Sequence, residues 1–101
     1  MEKFPYPLNI IPITYSIITE IQKMITQINN DKQNKEYIKK LEFLLNLPPE
    51  YNPINTNELK NLINNQIINK IKKLYNNIKI DISITKENFD NFLNITIIYN
   101  K

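Results

Sequence analysis

The chain has 101 residues, among them 21 Ile, 18 Asn and 9 Leu, and its formal net charge is +3, from 13 Lys against 10 acidic residues. Gly, Ala, Val, Arg, His, Cys and Trp do not occur. That inventory excludes a disulfide scaffold, Cys/His zinc sites, the usual nucleophile–base pairs and the glycine-rich phosphate loops, and without arginine there is no bidentate fork for phosphate or guanine.

The absent types have codons rich in guanine or cytosine, whereas Ile, Asn, Lys and Tyr have AT-rich ones. The composition therefore reads as that of an AT-rich genome, and the abundance of Asn and Lys says little about partners. The length is that of one domain, residues 1–101, and the Ile and Leu supply one modest core without a metal or cross-link.

Residues 1–13 read as an extended arm. Pro5, Pro7 and Pro12 withhold N–H groups and disfavour helix at the residue before each, so the arm forms an edge strand near Leu8 to Ile11 or straps the core. From Ser16, a plausible N-cap, Ile17, Ile18, Ile21, Met24, Ile25 and Ile28 recur at helical spacing, predicting a helix over 16–30. Asn29-Asn30-Asp31 is its exit, with Asn taking the left-handed position that glycine would otherwise fill.

Tyr37, Ile38, Leu41, Leu44 and Leu45, with the Glu36–Lys40 pair four residues apart, predict a second helix over 34–46. It stops at Leu47-Pro48-Pro49, and Glu50 to Ile54 has no periodicity. Asn55 with Glu58 resembles a capping box, and Leu59, Leu62, Ile63, Ile67, Ile71, Leu74 and Ile78 then follow helical spacing, predicting a third helix over 56–77 that stops at Asn76-Asn77. Lys70, Lys72 and Lys73 sit in its last turns, where cations complement the helix dipole.

The tail changes to a period of two. Ile78, Ile80, Ile82 and Ile84 alternate with polar residues, and so do Leu93, Ile95, Ile97 and Tyr99, predicting strands over 78–84 and 92–99 joined as an antiparallel hairpin across the polar residues Thr85 to Asn91. The expected fold is α+β, three helices packed on a small antiparallel sheet.

Glu42, Glu50, Asp81 and Asp90 are the remaining candidates for acid–base chemistry, but no spacing brings two of them together and solvated surface charge accounts for them. No catalytic residue, cofactor or metal site is expected, and the protein is not expected to be an enzyme. Asn94-Ile95-Thr96 fits a glycosylation acceptor but lies inside a strand pattern. Lys70, Lys72, Lys73 and Lys79 beside Tyr75 form the densest basic cluster. It reads either as a nucleic-acid or acidic-partner patch or as a dipole-matched helix end on a solvated face, and the missing arginines favour the second. No run approaches the ~18 apolar residues of a membrane span, and no signal-peptide cleavage pattern follows the early apolar stretch, so the expected location is cytoplasmic.

The segment Phe92 to Tyr99 carries neither charge nor proline, the devices that blunt an exposed strand edge. Either this strand is internal, or its edge accepts a strand from another protein subunit. On the second reading Leu93, Ile95, Ile97 and Tyr99 make the partner contact, with Lys72 and Lys73 at its rim.

The stretch Lys40-Leu41-Glu42-Phe43-Leu44-Leu45-Asn46, followed by Asn57-Glu58-Leu59, the Ile67, Ile71 and Leu74 stripe and the hairpin, resembles the small baseplate-wedge family of contractile tails. That family includes the phage wedge protein and the TssE component of type VI secretion systems. The resemblance covers about the last two-thirds of the chain. It implies an α+β, non-enzymatic structural subunit of a contractile injection apparatus, joining the baseplate to the sheath by strand exchange. The residues leave two alternatives: a small nucleic-acid-associated protein of ribosomal type using Lys70 to Lys79, or a host-binding protein of an AT-rich virus or parasite. Nucleic acid is the less favoured partner.

Overall fold

The computed structural model describes residues 2–7, 10–33, 35–46 and 56–100. In chain order these form β1 (Glu2–Pro7), α1 (Ile10–Asn30), β2 (Glu36–Asn46), α2 (Thr56–Ile63), a π-helical turn (Asn64–Ile68), α3 (Asn69–Leu74), β3 (Ile78–Glu87) and β4 (Asp90–Asn100). α2, the π turn and α3 run on without a break, so the helical layer holds two helices. The four strands form one sheet in the order β1-β2-β4-β3, with β1 parallel to β2 and the other neighbours antiparallel. The class is α+β, as the sequence implies, but the count is two helices on a four-stranded sheet.

α1 begins at Ile10, six residues before its predicted start, and takes Pro12 into its first turn. Proline is tolerated there because the first N–H groups of a helix have no intrahelical acceptor. The extended part of the arm is β1, which ends at Pro7. Of the predicted edge strand at Leu8 to Ile11, Ile10 and Ile11 open α1, and Leu8 lies outside the described residues, as does the expected cap Asn55.

The helix predicted over 34–46 is instead the strand β2. Its apolar residues satisfy two periods at once. Tyr37, Leu41, Leu44 and Leu45 suit a helix, but Tyr37, Leu41, Phe43 and Leu45 also alternate, and the burial of β2 follows that alternation. Long-range pairing decides between them. β4 pairs along one side of β2 and β1 along the other over Leu41–Asn46, with Phe43 paired to both Phe4 and Leu93, so over that stretch both sides of its backbone are hydrogen-bonded.

The third predicted helix ends at Leu74, three residues early, where the Tyr75 N–H donates to the Ile71 carbonyl at 2.9 Å. Its middle turn widens into a π segment, a one-residue insertion. The insertion lets Ile67 and Ile68 both turn inward, continuing the buried row of Leu59 and Ile63 through to Ile71.

Both helices cover one face of the sheet. Ile13, Ile17, Ile21 and Met24 of α1 and the α2–α3 row meet Leu41, Phe43 and Leu45 of β2, Ile78, Ile80 and Ile82 of β3, and Leu93, Ile95 and Ile97 of β4. Such close-packed Ile and Leu side chains each contribute about 1.5–3 kcal/mol relative to exposure.

The hairpin strands are longer than predicted, because Lys86–Asn91 and Glu87–Asp90 continue the ladder, and only Asn88 and Phe89 form the turn. Asn88 has φ 55°, and among the described residues it alone is at positive φ. The left-handed role expected of Asn at the exit of the first helix falls instead at this turn, where a tight reversal requires it. Asn88→Ala is expected to lower stability by about 1 kcal/mol, because a Cβ without the side-chain amide meets the full left-handed penalty. Chemical denaturation of the two proteins reads this directly, and an unchanged midpoint would contradict it.

Candidate functional site: the free edge of the sheet

β4 is the most enclosed strand of the sheet. It pairs with β2 along one side and β3 along the other, Ile95 standing beside both Leu41 and Ile82. Leu93, Ile95 and Ile97 are at most 1% exposed. Tyr99 is half-buried against the same core and pairs with Tyr37 and Ile78. Of the two readings of this strand the internal one holds, and the alternative, on which its edge accepts a partner's strand, is corrected. The absence of proline from its Phe92–Tyr99 stretch suits a central position, where proline would delete a ladder bond. Lys72 and Lys73 are exposed on α3, in the layer above, while the β4 side chains form part of the buried floor. The fold does not bring these two groups together as one surface.

Among the described strands, β1 and β3 stand at the two ends of the sheet order. β1 carries Pro5 and Pro7, which withhold N–H groups from any further strand. β3 runs for ten residues with no proline. Every second residue of β3 directs its N–H and C=O away from β4, and no described strand lies beyond it. Lys79 and Asp81 stand exposed on the uncovered face, with Lys79 Nζ and Asp81 Oδ2 3.9 Å apart. Ile78, Ile80 and Ile82 on the covered face keep 6–8% exposure, more than the β4 residues beside them. The alternation of this strand is plain in the sequence; its position at the edge is not, because lateral order depends on residues far away in the chain.

A second exposed apolar site lies on the helical layer. Thr14, Tyr15 and Ile18 of α1 and Lys70 and Leu74 of α3 line a groove of about 360 Å³. Tyr15 is 68% exposed and Leu74 63% exposed, although Leu74 belongs to the apolar stripe of its helix. The early end of the helix, at Leu74 itself, leaves no further turn to cover it.

One charge is drawn into the interface between helix and sheet. Glu20 of α1 is buried, with Oε1 accepting from Lys23 Nζ at 3.2 Å and Oε2 lying 3.1 Å from Lys39 Nζ of β2. Burial works to raise the Glu20 pKa, but the two ammonium groups, Lys39 first, outweigh it and hold the carboxyl below its ordinary value of 4.5. The apolar stripe of α1 contains no hint of this pair, since Lys39 reaches Glu20 only because its segment is a strand of the sheet under α1. At the same end of the sheet, the Tyr37 hydroxyl donates to Asp31 Oδ2 at 2.5 Å and the Gln33 N–H to Asp31 Oδ1 at 2.9 Å, fixing the α1–β2 turn.

Among the described residues no three acidic, His or Cys side chains stand close enough to hold a metal ion, and no described helix is long and apolar enough to cross a membrane. Set against known protein families, characterised proteins and solved structures, the chain matches none. The site is therefore read from its own chemistry: outward backbone groups along β3 that face no described strand, in a strand whose charged residues are Lys79, Asp81, Lys86 and Glu87.

Proposed function

We propose that this protein is a non-enzymatic structural subunit of a larger assembly, acting by contact with other protein chains. The observation that carries the reading is the edge of β3, a strand without proline whose outward N–H and C=O groups face no described strand, and whose charged residues, Lys79, Asp81, Lys86 and Glu87, restrict which strand can extend its ladder. The specific version remains a baseplate-wedge component of a contractile injection or type VI secretion apparatus. Two of the features behind that resemblance, the long helix and the C-terminal hairpin, are elements of the fold. The Lys40–Asn46 stretch is strand rather than helix, so that part of the likeness is one of residues without one of shape. The contact moves accordingly from β4 to β3.

Strand addition rests on backbone hydrogen bonds and apolar contact, so capture of a sheath or baseplate subunit by the immobilised protein is expected to survive a rise from low to high salt. Nucleic-acid binding through Lys70 to Lys79 would weaken steeply over the same range. Recovery of RNA alone, lost as salt rises, would overturn the proposal.

A further inference from the structure

We infer that the strand received by β3 is β3 of a second copy of this chain, joined about a two-fold axis into one continuous eight-stranded sheet. This rests on the contact reading above and names its partner. The argument begins with symmetry. Two antiparallel copies of one edge strand meet about an axis perpendicular to the sheet, and this places both helical layers on the same side. Each residue then faces a residue of like orientation, so the covered-face isoleucines meet isoleucines and the open-face polar residues meet one another.

The order of residues along β3 selects the register. Centred on Ile80, the pairing sets Ile80 opposite Ile80 and Ile78 opposite Ile82, closing over the isoleucines that remain slightly exposed at this edge. On the open face it sets Lys79 of each copy opposite Asp81 of the other, twice by symmetry. Both side chains are more than half exposed and already adjacent within one strand, so the dimer would hold a cluster of four alternating charges. Centred on Ile82, the same strands would put Lys79 opposite Thr85 and Asp81 opposite Ser83, matching no charge. Centred on Ser83, they would oppose Ile80 with Lys86. Only the first register satisfies both rows.

The opposite edge of the sheet is unsuited to this role, since β1 holds two prolines in six residues. An interface of one strand pair is small, so the dimer belongs to the weak, concentration-dependent class.

Sedimentation equilibrium of the full chain is expected to show a monomer–dimer equilibrium. Lys79→Asp places four acidic groups at the interface and Asp81→Lys four basic ones, so each variant alone is expected to stay monomeric at concentrations where the parent is dimeric. Mixing the two variants restores complementarity in both rows and is expected to return a mixed dimer, as is the double exchange Lys79→Asp/Asp81→Lys within one chain. Both positions are exposed, and circular dichroism of each variant establishes that its fold is kept. A parent chain that stays monomeric up to millimolar concentration would overturn the inference, and so would a dimer indifferent to both single changes. A monomer that still captures a sheath or baseplate subunit would sink self-pairing alone, whereas one that captures nothing would sink the contact reading with it.

Discussion

Ile97→Ala is expected to lower stability by about 2–5 kcal/mol, and Ile97→Asp to abolish cooperative folding. Ile97 is fully buried and sits in the central strand, between Lys39 of β2 and Ile80 of β3. Truncation removes methyl groups from a packed layer that β2 and β3 hold rigid on either side, so the cavity closes poorly. A domain of this size has about 5–15 kcal/mol of stability in total, and an unpaired carboxylate at the same position costs more than such a fold can offset. Urea unfolding followed by circular dichroism measures both. The outcome separates the two roles considered for β4. A strand that served a partner would lose binding and keep its denaturation midpoint, while a core strand loses the midpoint. An unchanged midpoint for Ile97→Ala would contradict the strand order described here.

Glu20→Gln is expected to cost about 1–3 kcal/mol at neutral pH and nothing in strong acid. The substitution keeps the shape of the side chain and removes the charge that Lys39 and Lys23 face. The loss stays below the 3–5 kcal/mol typical of a broken, fully buried pair, because Lys39 is partly exposed and Lys23 largely so. The pH dependence has a definite sign. The folded-state pKa of Glu20 is depressed below 4.5, so its contribution is present in full above the unfolded value and is lost as pH falls through the lower folded value. Denaturation midpoints of parent and variant should therefore differ at pH 7 and converge in acid, once pH has fallen through the depressed folded value. A constant gap at all pH values would show that packing, not charge, is what Gln disturbs. Replacing both partners, Glu20→Met with Lys39→Met, is expected to be near neutral, since no lone charge is then left against the core.

Much of this fold is legible in the amino-acid order. Ile17, Ile21, Met24 and Ile28 announce the inward face of α1, Leu59 to Ile71 that of the second helix, and Ile78 to Ile84 and Leu93 to Tyr99 the two strands of the hairpin. Boundaries moved where a residue plays a role that its type does not advertise. Pro12 enters the first turn of a helix, and the polar residues Lys86, Glu87 and Asp90 extend a ladder instead of a loop. The segment 36–46 departs furthest from its local pattern, a strand where helical spacing is also present. Its local pattern is compatible with both periods, and only pairing with β1 and β4, one of them more than forty residues away in the chain, makes it a strand.

The candidate site divides along the same line. The absence of arginine, glycine, histidine and cysteine, and the scattering of the few carboxylates, are properties of the chain itself and hold whatever its fold. Side-chain periodicity likewise reports which face of an element is turned inward, because burial sorts apolar from polar groups. It does not report lateral neighbours. Every residue except proline offers the same N–H and C=O, so the apolar rows of a central strand and an edge strand look alike, as Ile95 and Ile97 of β4 and Ile80 and Ile82 of β3 do. The tertiary structure alone decided that β4 is enclosed and that β3 is the outer strand among the described residues, because topology, not residue type, assigns each backbone hydrogen bond its partner.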